Sequence, residues 1–309
     1  MRIGILGIGG IGGFIGAQLL SDNKHHDKIE VLFICRGATK KAIKQNGLLF
    51  RSDGKEKVVY PHLVSDDPTE IGKLDLLIIA TKSYQLKEAL NRYLPCLQEE
   101  TLLLPLLNGV NAKELIASYI PHPVCKILEG CIYIISNQVA PGQVTHKGGL
   151  GKVFFGTTLS QDYQWLEKLL KDFGVDANYT RNIKEVIWKK FLFVSPISAL
   201  TSSYGITFGQ LRNNEDYMFI FQKLMNEILD LAKSLKIYLS NGDVNDVMMM
   251  LSSFPEQAKT SFQLDIEGGS LQNEKSIFID YVINKSIKEG SKHYYYSRMN
   301  SQILSAFSY

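Results

Sequence analysis

The chain has little of what marks secreted, membrane-bound or nucleic-acid-binding proteins. Its 309 residues include only four cysteines, at 35, 96, 125 and 131, and none falls in a C-x-x-C or Cys/His spacing. We therefore predict no disulfide framework and no metal site, and expect reduced thiols in a cytoplasmic protein. No run of about 18 apolar residues is present, so no transmembrane helix and no membrane partner are expected. The net charge of +3 is too small to indicate nucleic-acid binding.

What the chain has instead is a glycine-rich turn close to its start. The apolar run Ile3 to Leu6 precedes it, and apolar residues at helical spacing follow. Strand, G-x-G-x-x-G and helix in this order form the dinucleotide-binding fingerprint, with a pyrophosphate at the helix N-terminus. The alternative is an α/β domain that has such a turn and binds no nucleotide. The predicted cofactor contacts here are Gly7, Ile8, Gly9, Gly10, Ile11 and Gly12.

The second predicted strand, Val31 to Cys35, ends without the acidic residue that NAD-binding sites use to hold a ribose hydroxyl. Arg36 follows the strand instead, and its planar guanidinium could pair with a 2′-phosphate. Lys40 and Lys41 add positive charge nearby. An ordinary solvated loop arginine is the alternative interpretation. The sequence thus favours NADPH as the cofactor.

Apolar runs and helical patterns alternate along the first half of the chain. The runs 75–81 and 101–107 are continuous, as expected of strands covered on both faces. The alternation predicts a Rossmann-type, doubly wound and mostly parallel sheet. Lys82 and Asn108 follow the two runs directly. Because ligands bind outside the carboxyl ends of such strands, both residues are predicted to lie at the site.

The second half of the chain has helical periodicity and no clear long strand. We therefore predict an α/β protein with two domains. Residues 1–175 form the NADP-binding Rossmann-type domain, and residues 176–309 form an all-helical domain for substrate and catalysis.

One strongly apolar helical segment, 187–200, carries a lysine. Lys190, Val194 and Ser198 are spaced by four and share one helix face. Pro196 is expected to kink the helix near that face. Buried lysines are rare unless they are paired, which makes Lys190 a candidate for a functional role. The alternative is that Lys190 reaches solvent at the start of the helix.

Further motifs follow the glycine turn and Arg36 along the chain. They are Thr81-Lys82-Ser83-Tyr84-Gln85, Leu107-Asn108-Gly109, His146 with Gly148 and Gly149, Phe155-Gly156, Trp188-Lys189-Lys190, Thr260 to Asp265 and Asn273-Glu274. In the order of these motifs the chain resembles the ketopantoate reductase (2-dehydropantoate 2-reductase) family over nearly its whole length.

This resemblance implies that the C2 ketone of ketopantoate is reduced to pantoate by NADPH, in pantothenate and coenzyme A synthesis. It implies that Lys190 is the catalytic proton donor and that Glu274 holds and tunes it. It also implies that Ser261 binds the substrate carboxylate. Asn108 and Lys82 would contact both substrate and cofactor.

The chain departs from the family pattern where the family has asparagines, one and two turns after the catalytic lysine. Val194 and Ser198 occupy these positions. Ser198 can still bind a polar substrate group, whereas Val194 cannot, so substrate discrimination should differ. A reductase of another small 2-oxo acid or branched ketone, and a non-catalytic NADPH sensor, are therefore the alternatives. The presence of both Lys190 and Glu274 argues against the sensor. The expected assembly is a monomer or homodimer.

Overall fold

The structure is a computed structural model that describes residues 1–21, 28–120, 124–158 and 160–306. The chain folds into two compact units, Met1–Ile183 and Lys184–Tyr309. Every strand that the described residues form lies in the first unit, and the second is helical.

The strands of the described residues are β1 (Arg2–Leu6), β2 (Glu30–Ile34), β3 (Leu48–Ser52), β4 (Lys55–Val59), β5 (Leu63–Ser65), β6 (Leu76–Ile79), β7 (Leu102–Pro105), β8 (Lys126–Ile127), β9 (Glu129–Ala140), β10 (Gln143–Gly156) and β11 (Ala177–Tyr179). The α-helices are α1 (Gly10–Leu19), α2 (Gly37–Asn46), α3 (Pro68–Ile71), α4 (Leu86–Tyr93), α5 (Ala112–Tyr119), α6 (Gln164–Asp172), α7 (Ile183–Tyr204), α8 (Phe208–Arg212), α9 (Glu215–Ser234), α10 (Asn241–Ser253), α11 (Ser261–Glu267), α12 (Tyr281–Glu289) and α13 (Tyr294–Ala306).

The first unit is built on a parallel sheet with the strand order β5-β2-β1-β6-β7-β8. The order reverses between β1 and β6, which is where doubly wound sheets bind their ligands. The strands are the continuous apolar runs of the sequence, and they are buried: β6 and β7 have no exposed residue. Such burial on both faces is the reason that these runs do not alternate with polar residues. The prediction of a Rossmann-type sheet is confirmed.

A second sheet has the order β11-β10-β3-β4, and β9 pairs with β10 in antiparallel fashion. β3 and β4 form the hairpin expected at Asp53 and Gly54, whose φ angles of 50° and 72° suit a tight two-residue turn. β10 is longer than the two short strands that the sequence indicated. It runs continuously to Gly156, but its pairing with β9 shifts at Gly148, where glycines break the alternating pattern.

The first unit includes β11, because this strand pairs with β10 of the second sheet. The sequence placed the domain boundary at 175/176, before this strand. β11 pairs with β10 from Ala177 to Tyr179, and the first compact unit extends to Ile183.

The second unit contains only helices among its described residues, as predicted. Its longest helix, α7, has 22 residues and continues through Pro196. Because proline has no N–H, the carbonyl of Leu192 loses its usual helical donor at this point. No helix in the described ranges is both long enough and apolar enough to cross a membrane.

Candidate functional site

The glycine turn closes tightly between β1 and α1 and is open on one side. Gly7 has a φ of 92°, a conformation that favours glycine. A Cβ at Gly12 would lie 2.0 Å from the carbonyl oxygen of Gly7, so only glycine lets helix and strand approach this closely. At Gly9, the N-cap of α1, a Cβ would meet nothing within 4 Å. The open side of the turn is therefore at the N-terminus of α1.

The turn is also held against the second sheet. A Cβ at Gly10 would lie 2.0 Å from the carbonyl oxygen of Ser136 in β9. The Ser136 hydroxyl donates to the Gly10 carbonyl at 3.0 Å. Ile8 is buried and Ile11 half-buried, so these two residues contribute mainly packing on their side-chain side.

The surroundings of the turn fit a dinucleotide. The first turn of α1 contains no acidic residue that would repel a phosphate. Thr81 Oγ1 and Ser83 Oγ are buried and have no hydrogen-bond partner among the described residues. They follow β6, the neighbour of β1 on the side where the strand order reverses. The open N-terminus of α1 can bind an anion, and Thr81 lies beside the turn, because its Cγ2 would be 3.0 Å from a Cβ at Gly7.

Arg36 lies at the N-cap of α2 with 57% of its side chain exposed. Its guanidinium donates to the Glu88 carboxylate of α4 at 2.8 Å. Glu88 engages one of the five N–H donors of the guanidinium in this bond. Lys40, by contrast, is hydrogen-bonded to Asp66, and this bond lowers the pKa of the Asp66 carboxyl. The sequence had no signal for Glu88, because its pairing with Arg36 spans 52 residues.

Lys82 and Asn108 occupy equivalent positions on neighbouring strands. Ile79 of β6 pairs with Pro105 of β7, and each of the two polar residues comes equally far beyond its strand. Both side chains are half-buried. The parallel pairing thus leaves them at one edge of the sheet, as the sequence predicted from the strand ends.

The predicted residues of the second unit lie on three different elements. Lys190 is half-buried on α7, and Ser261 is the exposed first residue of α11. Glu274 is only 3% exposed and precedes a π-helical segment, Ser276–Asp280. π-Helical turns occur frequently at functional sites.

Both helices, α7 and α11, contact Phe278, which lies in the π-helical segment four residues after Glu274. The Ser195 hydroxyl of α7 donates to the Phe278 carbonyl at 2.7 Å. The ring of Phe262, which follows Ser261, lies 5.8 Å from the Phe278 ring. The Phe278 N–H donates to the carbonyl of Glu274 at 3.2 Å. The fold of this unit therefore brings together the elements that carry the lysine, the serine and the glutamate.

Two buried hydroxyls, those of Ser198 and Ser202, follow Lys190 along α7. Ser198 is 1% exposed and Ser202 is 9% exposed, and neither Oγ has a hydrogen-bond partner in the described part of the chain. Helical hydroxyls often return to a carbonyl of the preceding turn, as Thr201 does at 2.8 Å. Val194 is half-buried on the same face as Lys190. Ser202 was not predicted, although its spacing from Ser198 continues the same face.

The neighbouring lysine, Lys189, has a different environment. Its ammonium lies 2.8 Å from the carboxylate of Asp243, which forms a capping box with Ser240, the N-cap of α10. Burial alone would raise the pKa of Asp243, but hydrogen bonds from Lys189 and Ser240 outweigh it, and the pKa is lowered. Lys189 therefore belongs to a structural ion pair that ties α7 to α10.

Two family models match the chain. Residues 3–159 match the model described as ketopantoate reductase PanE/ApbA, and residues 182–307 match ketopantoate reductase PanE/ApbA C terminal. The chain belongs to this family. As a member of the ketopantoate reductase PanE/ApbA family it is an oxidoreductase that uses a nicotinamide cofactor.

Similar curated proteins cover most of the chain at modest identity. An uncharacterized oxidoreductase YkpB of Bacillus subtilis is 26% identical over 273 residues, which are 87% of each protein. A 2-dehydropantoate 2-reductase of Streptococcus pyogenes is 25% identical over 271 residues, 86% of this chain and 85% of that protein.

Solved structures share the fold across both units. A PanE/ApbA family ketopantoate reductase from Ralstonia eutropha has a TM-score of 0.89 at 20% identity, covering 99% of this chain and 98% of its own. A D-mandelate dehydrogenase bound to NADH and anilino(oxo)acetate has a TM-score of 0.84 at 23% identity, with coverage of 99% and 98%.

Proposed function

We propose that the chain reduces 2-dehydropantoate (ketopantoate) to pantoate with NADPH, in pantothenate and coenzyme A synthesis. The observation that carries the proposal is the contact of α7 and α11, which bear Lys190 and Ser261, with Phe278, four residues after Glu274. The S. pyogenes relative named 2-dehydropantoate 2-reductase supports the choice of substrate.

Reduction of the C2 ketone requires a proton donor beside the ketone oxygen. When bound, NADPH supplies the hydride. As it adds to the C2 ketone, negative charge develops on the ketone oxygen, which the Lys190 ammonium stabilises and then protonates. Glu274 is 3% exposed, and charges of opposite sign attract each other more strongly where water is excluded. We assign Glu274 the role of holding the lysine in place.

Binding of the 2-oxo acid falls to the remaining polar residues. Ser261 is exposed and can donate to the substrate carboxylate. Ser198 offers a hydroxyl that has no partner among the described residues. Lys82 and Asn108, at one edge of the parallel sheet, supply a positive charge and an amide to substrate and cofactor.

NADPH is proposed over NADH because of the groups that follow β2. Arg36 is exposed and no acidic residue caps the first turn of α2. A 2′-phosphate could take bidentate hydrogen bonds from the guanidinium and would meet the helix N-terminus.

A second candidate function is the reduction of a different 2-oxo acid with an apolar substituent. Val194 favours it, because a half-buried valine one turn beyond Lys190 cannot pair with a substrate hydroxyl. The D-mandelate dehydrogenase neighbour, bound to anilino(oxo)acetate, shows that this fold holds an aromatic oxo acid in another protein.

The test is a comparison of kcat/KM for ketopantoate, a branched apolar 2-oxo acid and an aromatic 2-oxo acid, with NADPH and with NADH. Preference for ketopantoate and NADPH supports the proposal. Preference for an apolar acid supports the second candidate. Tight NADPH binding without turnover of any 2-oxo acid contradicts both and indicates a sensor.

A further inference from the structure

A chain of three buried groups connects α13, α7 and the π-helical segment of the second unit. The Tyr296 hydroxyl lies 2.6 Å from Ser195 Oγ, and Ser195 Oγ lies 2.7 Å from the Phe278 carbonyl oxygen. Tyr296 and Ser195 are both 0% exposed. The reduction as described above uses neither side chain.

The two hydrogen bonds that link Tyr296, Ser195 and Phe278 run in one direction. The Phe278 carbonyl can only accept, so the single proton of the Ser195 hydroxyl is donated to it. The Tyr296 hydroxyl must then donate to Ser195 Oγ. Burial raises the pKa of Tyr296 well above its ordinary value, so the phenol stays protonated and remains a donor. Removing either hydroxyl would leave a buried group of the chain without its partner.

Tyr296 is itself fixed from a third helix. Glu227 of α9 is 5% exposed, and its two carboxylate oxygens accept the N–H groups of Tyr295 at 2.9 Å and Tyr296 at 3.1 Å. A carboxylate at the N-terminus of α13 satisfies donors that have no helical partner. The backbone of Tyr296 is therefore held in place, and its hydroxyl donates to Ser195 from a fixed position.

The chain of hydroxyls acts where both connected elements lack regular helical hydrogen bonding. Ser195 directly precedes Pro196, whose missing N–H weakens α7 at this turn. Phe278 lies within the π-helical segment, whose bonding pattern is rare and irregular. A buried hydroxyl at such a place can set the spacing of two elements that backbone bonds alone define poorly.

We infer that Tyr296 is a positioning residue for the reduction, because through Ser195 it fixes the helix of Lys190 against the π-helical segment that follows Glu274. The inference rests on the proposed roles of Lys190 and Glu274. Loss of the link should change the distance between ammonium and carboxylate, and with it the protonation behaviour of Lys190. A purely structural link would change stability alone.

The experiment compares Tyr296→Phe and Ser195→Ala with a matched control, Ser203→Ala. The Ser203 hydroxyl lies 2.7 Å from the Ala199 carbonyl oxygen of its own helix and 3.1 Å from the Met299 carbonyl oxygen of α13. The control therefore also removes a hydroxyl at the contact of α7 with α13, but one that does not reach Phe278. Thermal unfolding, kcat, KM and the pH profile of kcat are measured for each variant. Lys190 is also followed without turnover, as the pH dependence of its labelling by an amine-reactive reagent, read by peptide mass spectrometry.

Tyr296→Phe and Ser195→Ala should each lower kcat about 10- to 100-fold, as expected of a small misplacement of a catalytic group, with little change in KM for NADPH. Both should move the pH profile and the labelling midpoint of Lys190 in the same direction. The double variant should be close to either single variant, because the two hydroxyls act as one unit. Ser203→Ala should lose stability without these shifts.

The inference is overturned if the link variants lose stability but keep the wild-type pH profile and the wild-type labelling midpoint, or if Ser203→Ala shifts them equally. Failure of the proposed function is a separate outcome. In that case the wild-type chain turns over no 2-oxo acid, while the labelling comparison still decides whether Tyr296 positions Lys190.

Discussion

Replacement of Gly9 by alanine should weaken cofactor binding and leave the fold intact. A Cβ at this position meets nothing within 4 Å, and Gly9 already has a φ of −94°, which alanine adopts readily. The unfolding free energy should therefore stay the same or rise by about 0.4–1 kcal/mol, because alanine restricts the unfolded chain. The added methyl group would occupy the space through which a pyrophosphate reaches the N-terminus of α1. Loss of one charge-assisted hydrogen bond, about 1.5–3 kcal/mol, corresponds to roughly a 10- to 150-fold increase in Kd.

Gly12→Ala is the matched control for this prediction. Its Cβ would lie 2.0 Å from the Gly7 carbonyl oxygen, well inside the 3.4 Å at which ordinary van der Waals contact begins. The Gly7 carbonyl belongs to the backbone and cannot turn aside as a flexible side chain could, so α1 would have to move away from β1. We expect a loss of about 1–3 kcal/mol in unfolding free energy, together with weaker cofactor binding.

Urea unfolding and calorimetric titration with NADPH measure the two effects separately. Gly9→Ala should unfold like the wild type and bind poorly, whereas Gly12→Ala should be impaired in both assays. Wild-type affinity in Gly9→Ala would show that the pyrophosphate does not approach the backbone there. Equal destabilisation of the two variants would contradict the open space at Gly9.

Two further predictions concern charged residues. Arg36→Ala should raise the Kd for NADPH about 10-fold or more and leave the Kd for NADH unchanged. Glu88→Gln releases the guanidinium from its exposed ion pair and should tighten NADPH binding by up to about fivefold. Equal effects on both cofactors in titrations would contradict a role of Arg36 in binding the 2′-phosphate. Asp243→Asn should lower the unfolding free energy by about 1–2 kcal/mol at neutral pH, since it removes the charged partner of Lys189 and weakens the capping box that Asp243 forms with the N-cap Ser240. Folding lowers the pKa of Asp243, so the carboxylate stabilises the fold above the ordinary aspartate pKa, and this stabilisation is lost as the pH falls through the folded pKa. In urea unfolding, the free energies of the wild type and Asp243→Asn should therefore converge in acid. A constant difference at all pH values would contradict this.

Much of the first unit could be predicted because its signals are local. The glycine turn, the continuous apolar strands and the polar residues at their carboxyl ends are each contained in a few consecutive residues. The parallel register then brings Lys82 and Asn108 to equivalent positions, because neighbouring strands end at the same edge. A strand as short as β11 has only a weak signal: the sequence around Val175 is strand-like, but the pairing with β10 defines the strand.

The partners of the site residues could not be predicted, because they come from distant parts of the chain. Glu88 reaches Arg36 across 52 residues, and Tyr296 reaches Ser195 across 101. Nothing near either position in the sequence indicates such a pair. The helix pattern around Lys190 predicted that Ser198 shares its face of α7, but the contacts of α7 and α11 with Phe278 follow only from the packing of the second unit.

The central claim is that Lys190 is the proton donor of a reductase. The adjacent Lys189 provides a control that allows this claim to be tested directly. The measurement is the steady-state rate of NADPH-dependent ketopantoate reduction by the wild type, Lys190→Ala and Lys189→Ala. Lys189 lies in the structural ion pair with Asp243, so its removal should cost stability and leave most of kcat. The account predicts that Lys190→Ala loses most of kcat, by about 100-fold or more, and still binds NADPH. Wild-type kcat in Lys190→Ala, or an equal loss in both variants, would contradict it.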